Sequence, residues 1–305
     1  MKNLTINKKF CNIIIKKRCK MFLTTLAIIL RIFSNPIANM YEKKVSTGGS
    51  SLFTSFYSYL IMGLCCVPFA FHFDWKSMPF DFWKYAFIAG ALCATGRACM
   101  VKALQLGELS ILGPINSYKS VVGLIIGIFM LAEIPSLYGV LGMALIIWGS
   151  WFVFDTQAEG FSWKLFKRKD ILLRFTALIL TGIEAVILKK VILLSSVTTS
   201  YMMWAWTGTL FTLIIILLSR KEFTPMKKPQ IPQYLIICAG LAIMQLSTNF
   251  VFQNMKVGYA LALFQLSTIV NLLFGVKFFH EGHFAKKMLG TIIMTVGSVV
   301  IILCP

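Results

Sequence analysis

Ten apolar runs, each about as long as a helix needs to be to cross a bilayer, follow one another along the chain. They lie at 22–40, 51–71, 83–103, 110–131, 137–154, 171–190, 200–219, 234–254, 259–279 and 287–304. At about 20 residues per crossing they take up roughly 200 residues, and the rest of the 305-residue chain makes only short connections. Lipid offers the backbone no hydrogen bonds, so a run that crosses it must close its own as a helix. Composition agrees. Soluble domains carry roughly 25% charged side chains, whereas this chain carries 13%, with 58% hydrophobic residues and a mean hydropathy of +0.79. So few ionisable groups cannot cover a water-soluble globule of this size, which excludes a soluble enzyme, a nucleic-acid-binding domain and a disordered chain. The expected fold is an all-α membrane protein with ten transmembrane helices.

The formal charge of +19 does not reverse that conclusion, because the bases cluster between the apolar runs. Placed there, Lys and Arg anchor helices and meet anionic headgroups and form no stripe for nucleic acid. Residues 1–21 read as a basic leader. Arg31 and Asn35 interrupt the apolar stretch that follows, and no small-residue cleavage site is evident, so 22–40 is expected to stay as a permanent helix. Orientation is divided. Lys43, Lys44 and the loops 155–170, 220–233 and 280–287 hold most of the bases and argue for those connections in the cytoplasm, while the basic leader argues for cytoplasmic termini. The eight cysteines form no CxxC pair and lie mostly in apolar runs, so neither a disulfide nor a zinc site is expected. His280-Glu281-Gly282-His283 lacks the spacing of the zinc motif HExxH and reads as a loop.

The chain repeats itself. Phe129-Met130-Leu131-Ala132-Glu133 precedes a short loop and then Gly142 and Gly149; Phe278-Phe279-His280-Glu281 precedes Gly290 and Gly297 in the same way. Glu133 and Glu281, Gly142 and Gly290, Gly149 and Gly297, and Gly127 and Gly275 all lie 148 residues apart. Lys43-Lys44 and Lys189-Lys190 follow at 146, and Gly107 and Gly258 at 151. The expected organisation is a first five-helix repeat over 22–154, a basic connecting loop over 155–170 and a second repeat over 171–305. Five is odd, so the second unit enters the membrane from the opposite side. The units are then inverted-topology repeats, an architecture suited to alternating access, although channels and membrane enzymes also duplicate.

The set Gly107, Pro114, Gly127, Leu131-Ala132-Glu133, Gly142 and Gly149, repeated as Gly258, Gly275, Phe279-His280-Glu281, Gly290 to Met294 and Gly297, resembles the drug/metabolite transporter superfamily. More narrowly it resembles the ten-helix EamA-type permeases, over residues 22–304. The resemblance implies a ten-helix inverted-repeat fold that moves small metabolites, a cavity walled largely by the polar helices, and cytoplasmic termini. Pro114 has no clear counterpart, so the two halves differ where the fourth and ninth spans begin.

Ionisable groups deep in spans are costly and belong beside a cavity or a partner. Arg31, Arg97, Lys119 and Glu184 are such groups, and the amides Asn35, Asn39, Asn116, Gln245, Asn249, Gln253, Gln265 and Asn271 accompany them. All fall in spans one, three, four, six, eight and nine, which are three pairs related by the repeat. Arg31, Asn35 and Asn39 share one helix face, as do Gln245, Asn249 and Gln253, while Lys119 aligns with Gly123 and Gly127. Such amides serve either as interhelical hydrogen bonds or as a water-lined path. The candidate substrate-binding residues are Arg31, Asn35, Arg97, Asn116, Lys119, Glu184, Gln245, Asn249, Gln265 and Asn271. Pro36, Gly127, Glu133, Gly142, Gly275, Glu281 and Gly290 read as structural, the two glutamates as caps or loop anchors. Glu184 has two readings, an ion pair with Arg31 or Lys119 and a proton carrier.

Three interior cations against one interior acid point to a carboxylate-bearing or otherwise anionic cargo. The function expected is secondary active transport in a plasma membrane or bacterial inner membrane. No phosphate-binding P-loop is present, and no cofactor or metal is expected. The implied partners are a small-molecule substrate and the lipid bilayer, with protons or another coupling ion and a second copy of the chain as further candidates. A flippase of a lipid-linked substrate is the alternative. A membrane-embedded enzyme fits less well, because no nucleophile, paired carboxylate or metal-ligand cluster is apparent.

Overall fold

The computed structural model describes residues 2–119, 121–122, 136–156, 166–220, 224–226, 228–255 and 257–303. Among them every regular element is helical. In chain order these are α1 (Lys2–Thr47), α2 (Ser51–Ala70), α3 (Phe80–Leu106), α4 (Leu109–Leu112), a 3₁₀ turn (Pro114–Ser117), α5 (Leu137–Phe154), α6 (Lys169–Leu194), α7 (Val197–Leu218), α8 (Ile231–Asn254), α9 (Val257–Phe264), α10 (Ser267–Phe279) and α11 (Phe284–Leu303). Two further 3₁₀ turns, Trp75–Ser77 and Lys228–Gln230, lie in the connections. Local chemistry sets several starts. The Ser136 hydroxyl accepts from the Gly139 N–H to cap α5, and Ser196 caps α7 through Thr199 N–H. Pro79 precedes α3 and a proline opens α8, where a missing N–H costs nothing. His280, with a left-handed φ of 53°, ends α10.

Eight helices are long and apolar enough to cross a membrane: α1 from Arg18 onward, α2, α3, α5, α6, α7, α8 and α11. Large apolar side chains such as Leu64, Trp148 and Leu217 are exposed on them, the outer surface expected of a protein dissolved in lipid. The other two expected spans behave differently. The run 110–131 opens with α4 and its 3₁₀ turn, broken at Gly113-Pro114, where proline has no N–H to give; its later part, with Gly127, lies outside the described residues, as does Glu133. The run 259–279 is divided between α9 and α10 without a proline. The Ser267 hydroxyl donates to the Phe264 carbonyl at 2.7 Å and the Thr268 hydroxyl to that of Gln265 at 2.7 Å. These hydroxyls take carbonyls at the break, so the interruption leaves fewer of them unpaired.

The helices pack as α3 on α6, α1 on α8, α2 on α7 and α5 on α11. The last pair runs in opposite directions at close range. A Cβ on Gly142 would stand 2.7 Å from the Gly297 carbonyl oxygen, and one on Gly149 2.8 Å from that of Gly290. A side chain at either place would push two backbones apart. The contact is reciprocal, since Gly142 and Gly290, and Gly149 and Gly297, are the pairs 148 residues apart. Pro36 lies inside α1, buried, where Gly240 lets α8 approach the Ser34 carbonyl and Ala38.

Candidate functional site

Between α1, α3, α6, α8 and the two interrupted segments lies a cavity of about 150 Å³, a volume of the order that encloses a benzene-sized molecule. Nine of the ten residues expected from the sequence to bind substrate line it: Arg31, Asn35, Arg97, Asn116, Lys119, Glu184, Gln245, Gln265 and Asn271. Asn249 stands one turn behind, accepting from Gln245 Nε2 at 3.0 Å and donating to the Val197 carbonyl at 3.1 Å. Gln253, the last member of that stripe, is exposed.

The charges are arranged unevenly. Arg97 is not a lone cation, because it forms an ion pair with Glu42, a fully buried carboxylate. Sequence reasoning missed Glu42 because α1 runs on through Thr47, seven residues past the expected end of its span. It also missed Arg174, whose charge was readable inside the sixth span. Buried against the cavity, Arg174 donates from Nε to the Leu112 carbonyl at 2.8 Å and from Nη2 to Asn116 Oδ1 at 3.1 Å. The Leu112 carbonyl sits at the Gly113-Pro114 break, so Arg174 supplies a donor where the helix is interrupted. Arg31 is different. Its guanidinium lies 4.6 Å over the Phe264 ring, and Nε and Nη1 are buried with no hydrogen-bond partner among the described residues. Glu184 presents a buried Oε1 that likewise lacks a hydrogen-bond partner; it makes no direct salt-bridge contact with Arg31 or Lys119, while the Lys119 charge acts on it through space. The lining holds the cations Arg31, Arg97, Lys119 and Arg174 and the acid Glu184; Glu42, paired with Arg97, still leaves it net positive.

The two ends differ chemically. At one, around Ala185, Leu188, Val251, Phe252 and Phe264, the packing is apolar. At the other, one turn beyond Asn39 on α1, Lys43 pairs with Glu281 at 2.7 Å and donates to the Gly107 carbonyl at 2.9 Å. Glu281 also accepts from the Leu109 N–H at 2.8 Å and the Ser110 N–H at 2.7 Å, capping α4 from the distant α10–α11 turn. Gly275 makes room for this, since its Cβ would stand 2.8 Å from Ser110 N. Burial alone would raise the Glu281 pKa, but Lys43 and the Ser110 donors outweigh it and hold the carboxyl below its ordinary value. Lys287 bonds Glu108 at 2.5 Å and the Ser110 hydroxyl at 2.9 Å beside it.

The site is thus a polar cavity inside a bundle of apolar helices, with interrupted segments at its wall. Residues 23–155 match the model of the EamA-like transporter family, and with eight helices long and apolar enough to cross a membrane the protein is a multi-pass integral membrane protein. A crystal structure described only as that of a protein superposes with a TM-score of 0.63, covering 92% of this chain and 96% of its own at 13% identity; that likeness speaks for the fold alone. No curated protein sequence matches the chain.

Proposed function

We propose that this protein is a secondary active transporter that carries a small anionic metabolite, bearing a carboxylate or a comparable group, by alternating access between two inverted five-helix units with ten membrane passages in all. The observation that carries the cargo class is Arg31: a guanidinium buried at the cavity wall with no hydrogen-bonded acceptor among the described residues is costly unless a ligand supplies one. Arg31 and Lys119 are the cargo-facing cations in this reading, and Arg97 and Arg174 are held by protein partners.

Several features support the inverted arrangement. The Gly142–Gly297 and Gly149–Gly290 contacts are reciprocal, as across a two-fold axis. Lys43 donates to the carbonyl of Gly107 and Lys189 to that of Met255, residues that end α3 and α8 and lie 148 apart. With no phosphate-binding loop in the sequence, the energy comes from a gradient. Glu184, whose Oε1 has no hydrogen-bond donor among the described residues, exchanges a proton with the cavity in this reading.

Reconstituted liposomes test the proposal. Radiolabelled carboxylates are compared with neutral and cationic compounds of the same size, with and without a pH gradient. Carboxylate uptake is expected to fall at least tenfold in Arg31→Ala and Lys119→Ala, and Glu184→Gln is expected to lose the response to the pH gradient while retaining exchange. Uptake of a neutral or cationic compound that neither Arg31→Ala nor Lys119→Ala affects would overturn the anion assignment.

A further inference from the structure

A carboxamide reads the same from either side until a neighbour fixes which end is oxygen. Three chains of amides reach this cavity, and each begins at a group that can act in one sense only. The Val197 carbonyl, which can only accept, takes Asn249 Nδ2; Asn249 Oδ1 then takes Gln245 Nε2 at 3.0 Å, which leaves Gln245 Oε1 for the cavity. The Ser267 carbonyl takes Asn271 Nδ2 at 3.1 Å, and Asn271 Oδ1 takes Asn39 Nδ2 at 3.2 Å, which leaves Asn39 Oδ1. The third chain starts from the opposite kind of anchor. Arg174 has donors and no acceptor, so Asn116 must turn its Oδ1 toward it, and Asn116 Nδ2 donates to Gln265 Oε1 at 3.2 Å. Gln265 is left with its NH₂ for the cavity.

We infer that these anchored relays set the hydrogen-bond polarity of the cavity, and that Arg174 is the positioning residue that makes Gln265 present a donor. The wall then offers N–H at Gln265 and oxygen at Gln245 and Asn39. It selects a cargo with an acceptor oxygen on the first side and hydroxyl or N–H donors on the other. This rests on the cavity being the cargo site, but the relay itself is independent of it. Of the Arg174 nitrogens, Nη2 is held by Asn116 and Nε by Leu112, so its hydrogen bond into the relay reaches the cargo through Gln265.

The test inverts the relay without changing its shape. In Asn116→Asp the carboxylate accepts from Arg174 with one oxygen and from Gln265 with the other, so Gln265 must rotate and present its oxygen. Full-length protein labelled with ¹⁵N-glutamine gives the Gln265 NH₂ signal, identified by its loss in Gln265→Glu. In the parent these protons are expected to exchange with cavity water, and in Asn116→Asp to exchange at least tenfold more slowly, while Arg174→Lys, still donor-only, keeps the parent behaviour. If Asn116→Asp does not fold, Arg174→Gln, whose side chain can accept as well as donate, is expected to slow the exchange in the same direction. Benzoate, a carboxylate of a size the cavity admits, is the binding probe, and its affinity is expected to fall about tenfold to a hundredfold in Asn116→Asp. Gln265 protons already protected in the parent, or unchanged by both variants, would overturn the inference. The exchange pattern as expected, with no benzoate binding to the parent, would uphold the relay and count against the anionic cargo.

Discussion

Replacing Glu281 by Gln should unlock one end of the bundle, and the size and pH profile of the loss follow from its contacts. The carboxylate balances Lys43 at 2.7 Å and accepts the first two N–H groups of α4 at 2.8 and 2.7 Å. Breaking a buried ion pair from one side costs roughly 3–5 kcal/mol. The Gln side chain keeps one acceptor oxygen, and Lys43 keeps the Gly107 carbonyl and the Phe279 ring 4.6 Å away, so a loss of about 3 kcal/mol is expected. The pH dependence has a definite sign. The folded carboxyl titrates below its ordinary value, so its contribution is complete above the unfolded value of about 4.3 and is lost as pH falls through the lowered folded value. Reversible unfolding in mixed micelles, titrated with a denaturing detergent, measures both variants across pH. The gap between parent and Glu281→Gln should be flat from about pH 6 upward and should close as the pH drops below about 4. A gap absent at neutral pH, or one that persists unchanged into acid, would refute the reasoning.

Two further predictions concern packing and buried charge. Glu42→Gln leaves Arg97 buried without its counter-ion and should cost roughly 3–5 kcal/mol, while Glu42→Leu combined with Arg97→Met should recover most of it; the same unfolding assay compares the single and double variants. A Cβ on Gly290 would stand 2.5 Å from the Gly149 carbonyl oxygen, whereas one on Gly282 meets nothing within 4 Å. Gly290→Ala should therefore lose roughly 1–3 kcal/mol and Gly282→Ala less than about 0.5, read as midpoints in that assay.

Hydropathy made the eight long helices legible, and equal spacing singled out the glycines where α5 and α11 touch. Both signals are carried by residue identity alone. The interruption in the ninth span was not legible, because Gln265 and Leu266 are neither Gly nor Pro; what permits the break is that Ser267 and Thr268 can take the local carbonyls. Glu42 was missed for a related reason. Nothing before Gly48 stops α1, so a window that ends where apolarity ends stops too early. The amides were visible as polar residues in spans, but their polarity was not. Whether Gln265 offers oxygen or nitrogen is decided by Arg174, 91 residues earlier in the chain and on another helix.

The scaffold and the cavity chemistry obey different rules, and the difference is informative. The contacts between α5 and α11 repeat at the 148-residue spacing, as the proposed pair of copies about one axis would require. The cavity charges do not repeat. At spacings of 146 or 148, Arg31 faces Ala177 or Ile179, Glu184 faces Ala38 or Pro36, Arg174 faces Ile28 or Leu26, and at 148 Lys119 faces Ser267. A charge present in both copies would stand twice around one small void, and like charges so close in lipid repel with little water to screen them. In the proposed inverted arrangement, a cavity on the axis would therefore keep each charge in one half only, and these unduplicated residues would be the ones to carry the chemistry of the cargo.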